Sequence, residues 1–233
     1  MKPIMSYSGW NKRTSDMKEQ IEPFRKYIFI CEGANTEVYY FKKLIDMRKE
    51  LAIHSLIDIC LWEKTGKDRD ISYAKNLVKF AKNQKEKPEN NFDIEHDKMI
   101  IVFDGDIFEE KVKGYDELIS TIEKDDIAAV TNPGFELFLL LHIENSYEKF
   151  IQNNENKFLT KDDKDRYSYA FKLLSEITGI NAKKNKEIGT FAKNIKIAIK
   201  QEKKINQDIH NIKGNVSSNI GKIIEDIIQD KAK

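Results

Sequence analysis

Cysteine, glycine and proline are all scarce in this chain of 233 residues, which has two Cys, ten Gly and four Pro. Cys31 and Cys60 each lie in an apolar, strand-like run without a CxxC partner, which argues against a zinc knuckle and for reduced, packed thiols. So little Gly and Pro leaves small room for low-complexity linker. A surplus of one charge is missing too: 40 Lys+Arg against 39 Asp+Glu gives +1, so any nucleic-acid contact has to come from a local patch. The longest apolar block, FLLLHI, falls far short of the roughly 18 residues of a membrane span, and no charged segment followed by an apolar one opens the chain. The expectation is a cytoplasmic protein with no membrane partner.

What the chain does have is 40% hydrophobic residues arranged in alternating strand and helix patterns. KYIFIC (26–31), HSLIDICLWE (54–63), KMIIVFD (98–104) and IAAVTN (127–132) read as strands. The helices between them are EVYYFKKLIDMRKELA, capped by Thr36, then ISYAKNLVKFAKNQK and GYDELISTIEKD. Strands with continuous apolar runs separated by helices predict an α/β fold, a four-stranded, mainly parallel sheet with helices on both faces. From Pro133 onward the signals are helical: GFELFLLLHIEN, YSYAFKLLSEIT, EIGTFAKNIKIAIKQEKKI and SNIGKIIEDIIQD. The expected organisation is a polar extension over 1–25, an α/β core over 26–135 and a helical region over 136–233 packed on that core.

In parallel sheets, sites form beyond the carboxyl ends of the strands. The residues at those positions are Glu32, Glu63, Asp104 with Asp106, and Asn132. MIIVFDGD runs an apolar strand into two aspartates around one glycine, and such aspartates are most often turn formers. Glu32 changes the weighting, because neighbouring parallel strands would turn all three carboxylates toward one crevice. Held close, they repel one another unless a cation compensates, and hard oxygen ligands favour Mg2+ or Mn2+. Mg2+ takes few carboxylates and keeps its remaining positions for water or phosphate oxygens, which points to phosphoester chemistry.

IFICEGANTEVYYF, IIVFDGD, VTNPGFELFLLLH and SNIGKII, in that order, resemble the RloB family, whose core is similar to the Toprim domain of topoisomerases, primases and defence nucleases. The resemblance implies a Toprim-like core and a Mg2+-dependent nuclease of DNA or RNA, acting in prokaryotic anti-phage defence by abortive infection, with a separate ATPase as partner. It matches Glu32 to the glutamate after the first Toprim strand, and Asp104 and Asp106 to the metal-binding DxD. Such enzymes hydrolyse phosphodiesters with metal-activated water, which fits a site rich in carboxylates. The family's DxD often carries a basic or polar residue in the middle, where this chain has Gly105.

Around this centre, Glu109 reads as a further metal ligand or a helix-dipole partner, and Asn132 and Glu136 as supporting polar residues. His142 reads as a packed or surface histidine rather than a ligand. Lys193, Lys196, Lys200 and Lys203 fall on one face of a predicted helix at spacings of 3, 4 and 3, a solvated face or a nucleic-acid contact. EGANTE lacks the GxxxxGK[ST] pattern, so a built-in ATPase is not expected. Two other readings stay open: a noncatalytic Toprim-like module that binds nucleic acid or regulates a defence ATPase, and a metal-dependent phosphatase or nucleotidyl transferase. The sequence does not fix the oligomeric state.

Overall fold

The structure is a computed structural model and describes residues 6–7, 24–68, 73–105, 114–160 and 167–232. Its centre is a sheet in which β2 (Arg25–Cys31), β3 (Ile57–Trp62), β4 (Lys98–Asp104) and β5 (Ile127–Asn132) run parallel in the order β3-β2-β4-β5. The sheet has more than the four expected strands. Two-residue strands close it on either side, β1 (Ser6–Tyr7) antiparallel to β3 and β6 (Ser217–Ser218) antiparallel to β5. Neither pair of residues is long enough to carry a pattern of its own, so only tertiary pairing defines them.

The strands read as unbroken apolar runs because both faces of the sheet are covered. On one face Phe29, Ile59, Ile100, Val102 and Ala129 meet α1 (Thr36–Asp46) and the C-terminal helices. On the other, Ile28, Ile30, Cys60, Ile101, Phe103 and Val130 meet α2 (Ala74–Lys85) and α3 (Tyr115–Ile122). Both cysteines are buried and free, as expected. Burial pushes both thiols well above their usual pKa, which keeps them protonated. Among the described residues no helix is long and apolar enough to cross a membrane.

Three elements differ from the sequence expectation. The apolar block after β5 is helical only over α4 (Phe135–Leu140), not over 134–145. It ends early because the buried Gln201 amide donates to the carbonyls of Leu141 at 2.6 Å and Ile143 at 2.8 Å, satisfying groups that a longer helix would have paired internally. Further on, after α5 (Glu155–Leu159) and α6 (Tyr169–Thr178), the stretch expected as one helix is a 3-10 segment, Lys186–Asn194, followed by α7 (Ile195–Glu202). Within the 3-10 segment Gly189 lies so close to α1 that a Cβ there would stand 2.6 Å from the Tyr39 carbonyl oxygen. Third, Thr36 does not cap α1: Asn35 occupies that position, and the Thr36 hydroxyl donates to the Ala182 carbonyl at 2.9 Å.

SNIGKII organises the C-terminal junction. The Asn219 side chain donates to Ala128 O and accepts from Val130 N, both at 2.8 Å, and so extends the pairing of β6 along β5. The helix α8 (Ile220–Gln229) then begins over the buried Glu202 carboxylate, which accepts from the Ser218 hydroxyl and from the Gly221 and Lys222 N–H groups. This is an N-terminal cap supplied from a distant part of the chain. Desolvation raises the Glu202 pKa although these donors favour the charged form.

His142 is fully buried beneath α1 and α4. Its Nδ1 lies 2.9 Å from the Phe138 carbonyl, which can only accept, so Nδ1 carries the proton and Nε2 accepts from the Tyr40 hydroxyl at 2.9 Å. Burial lowers its pKa to about 4, which leaves a neutral core histidine.

Gly189→Ala places a Cβ 2.6 Å from the Tyr39 carbonyl oxygen, a backbone atom that cannot swing away. The expected outcome is a loss of about 1–3 kcal/mol, measured by urea denaturation of the variant against the parent chain.

Candidate active site

The β2 and β4 strands are adjacent and parallel, with Cys31 opposite Val102, so the residues that leave them enter the same space. The Glu32 N–H still bonds to Val102 O at 2.9 Å, and its carboxylate reaches across to the Asp104 N–H at 3.3 Å. Asp104 is held from the next strand as well: its Oδ1 accepts from the Phe135 N–H at 2.9 Å and the Thr131 hydroxyl at 3.3 Å. The structure thus brings Glu32 and Asp104 together. Asp106 and Glu109 lie outside the described residues.

Glu136, in the first turn of α4, belongs to the same crevice. A Cβ built on Gly134 would sit 3.2 Å from Asp104 Oδ2 and 3.3 Å from Glu136 Oε2, so the two carboxylates flank one glycine. Asn132, joined to Pro133 by a cis peptide, does a different job. Its amide donates to Ile212 O at 3.0 Å and Asn215 O at 2.9 Å, tying the end of β5 to the loop before β6.

Gly105 has a packing reason. Its N–H bonds to Thr131 O at 2.7 Å, and a Cβ there would lie 3.0 Å from Ile212 Cδ1 and 3.1 Å from Asn132 Cβ. The same loop that Asn132 secures occupies the space where a longer side chain would stand.

The sequence reading missed Glu37. Placed in the first turn of α1, it looks like a dipole partner, but its carboxylate folds back over Gly33, where any Cβ would collide with it. Glu37 is buried, and its pKa rises to about 7 through desolvation, assisted by the negative charge of Glu136 and opposed by backbone hydrogen bonds and Lys64. The only sequence hint was Gly33 itself, a small residue beside the helix start. Lys64, also missed, donates its ammonium to the Glu32 carbonyl from the loop after β3. A cavity of about 300 Å³ opens there, lined by Trp62, Lys64 and Thr65 on one side and Gly33, Ala34 and Val38 on the other. Glu63 also lines this cavity, and its carboxylate is ion-paired with Lys42 at 2.8 Å.

The donor set of Glu32 and Asp104 consists of hard oxygens and matches the one or two carboxylates that Mg2+ commonly takes from a protein. Among the described residues no three His, Cys, Asp or Glu side chains gather into a group that could hold a metal. Lys193, Lys196, Lys200 and Lys203 are all exposed, but they do not form the expected stripe on one helix. Lys193 lies in the 3-10 segment, and Lys203 lies past the end of α7, paired with Glu225 at 2.9 Å.

With this geometry in view, comparison with known families matches the chain to the family described as RloB-like protein, over residues 27–227. The chain belongs to this family. No curated protein and no solved structure matches it. The matched span runs from β2 to α8 and includes the crevice, the cavity and the β6 junction.

Glu37 generates a pH test. Its folded pKa of about 7 lies above the usual carboxylate value of 4.5, so the folded chain binds the proton more tightly than the unfolded one, and its effect on stability weakens from below pH 4.5 to above 7. His142 acts with the opposite sign, losing stability as pH falls from 6.5 to about 4, and is common to both chains in the comparison. Glu37→Gln, which mimics the protonated carboxyl, is expected to gain thermal stability over the parent as pH rises through this window. Melting temperatures of both proteins in a chelator, taken across the window, check it.

Proposed function

We propose that this RloB-like chain is a Toprim-type, metal-dependent nuclease that hydrolyses phosphodiester bonds of DNA or RNA, with a role in anti-phage defence alongside a separate ATPase. The observation that carries the reading is the hydrogen bond from the Asp104 backbone N–H to the Glu32 carboxylate, which sets the Glu32 carboxylate against the residue that supplies the second hard-oxygen side chain, at the carboxyl ends of adjacent parallel strands. The four ordered motifs and the family match support the assignment of these residues.

In this mechanism Glu32 and Asp104, with Asp106 as the expected third ligand, would hold Mg2+ or Mn2+. The ion, once bound, offsets phosphate charge and activates water. The Phe135 N–H and the Thr131 hydroxyl fix the orientation of Asp104, so that its carboxylate does not have to be ordered when substrate arrives. Glu136 beside Asp104 raises the negative charge of the crevice, and Glu37 relieves part of that repulsion by holding a proton near neutral pH.

Purified protein is expected to degrade DNA or RNA with Mg2+ or Mn2+ and to stop with a chelator. Asp104→Asn and Glu32→Gln should each lower the rate by at least about 100-fold at unchanged secondary structure. Failure of the parent chain to cut any nucleic acid with either metal, or full activity in both variants, would sink the proposal. Retained nucleic-acid binding without cutting by the parent chain would favour the noncatalytic module instead.

A further inference from the structure

An acidic crevice repels the polyanion it is proposed to cut, so positive charge is needed at its rim. The described residues place such charge next to the crevice in a part of the chain other than the expected lysine stripe. Asn181 to Lys186 forms a tight turn in which the Lys184 and Asn185 N–H groups both bond to Asn181 O, at 3.1 and 2.9 Å. Its backbone is fastened to the start of α1: the Thr36 hydroxyl donates to Ala182 O at 2.9 Å and the Asn35 amide to Lys183 O at 3.4 Å. Thr36 immediately precedes Glu37, whose carboxylate covers Gly33, the residue after Glu32. The turn is therefore attached to the short loop that separates two of the crevice carboxylates.

Lys183, Lys184 and Lys186 are exposed on this turn. The Lys183 ammonium stands 5.6 Å from the ring centres of both Tyr167 and Phe171, which are themselves stacked at 4.4 Å. The nearby Glu187 carboxylate is engaged by the Asn185 amide at 3.2 Å. In the expected stripe, by contrast, Lys203 faces Glu225, and Lys200 lies close enough to Glu148 to lower that carboxylate's pKa. Charge next to acidic partners has less to offer a phosphate.

We propose that the turn at Lys183, Lys184 and Lys186 is the phosphate-backbone contact that brings a nucleic-acid strand to the Glu32 and Asp104 crevice. The backbone passes over the 33–35 loop, between this turn and the Lys64 side of the cavity. The inference rests on the nuclease reading for its biological meaning, but it concerns binding and is tested without catalysis. Side-chain changes on the turn leave its two anchoring bonds intact, because those bonds use main-chain carbonyls.

The test measures binding of labelled single-stranded DNA and RNA oligonucleotides in a chelator, across a salt series. Three proteins are compared: the parent chain, Lys183→Glu/Lys184→Glu/Lys186→Glu, and Lys193→Glu/Lys196→Glu/Lys200→Glu, with melting temperatures confirming that all three are folded. The first triple variant is expected to bind at least about tenfold more weakly and to lose about 2 from the log–log salt slope, as three phosphate contacts on a single strand would. The second should bind close to the parent. No binding by the parent, parental binding by the first triple variant, or an equal loss in the second would overturn the proposal. Metal-dependent cutting by a first triple variant that binds normally would remove the lysine contact alone, whereas lysine-dependent binding without cutting would remove the nuclease reading alone.

Discussion

Parallel pairing of β2 with β4 is the constraint on which the candidate site depends. Parallel strands send their carboxyl ends to the same side, and the register that sets Cys31 opposite Val102 leaves Glu32 level with the end of β4. An antiparallel or shifted pairing would have separated Glu32 from Asp104. Burial of both faces holds the register, because a one-residue slip would exchange the two sets of apolar side chains that meet α1 on one side and α2 with α3 on the other.

The C-terminal half is not an independent cover laid over this sheet. It supplies β6, it closes the edge of β5 through the Asn219 side chain, and it delivers Glu202 to the start of α8. Asn132 then connects the β5 end to the loop before β6. Each bond is modest, of the order of 1 kcal/mol, but together they pair the Asn132, Asn219 and Glu202 side chains at this junction. The strand ends that carry Glu32 and Asp104 are consequently fixed from both halves of the chain, which preorganises these two residues.

Much of the fold was legible because its strands are unambiguous. KMIIVFD and IAAVTN begin and end where the sequence places them, since apolar β-rich runs bounded by charge or turn residues leave little choice. Helix ends were harder, as at Leu140, where termination depends on the amide of Gln201, 61 residues further along. Glu32 and Asp104 could be named because they follow strands directly, whereas Glu37 acquires its meaning only when its side chain folds over Gly33 and comes under the influence of Glu136. A lysine pattern at helical spacing was the least transferable sign, because Lys193 lies in a 3-10 segment and Lys203 past the end of α7, so the four lysines do not share one α-helix.

The glycine at position 105 has a consequence for how this chain can vary. Its neighbours Asn132 and Ile212 come from β5 and from the loop before β6, and Asn132 also bonds to the carbonyl of Ile212. Positions 105, 132 and 212 therefore share one volume. A relative with a long side chain at the first position needs smaller or displaced groups at the other two, so the three should change as a set, and the middle residue of the aspartate pair records the shape of a distant loop as much as the chemistry beside it.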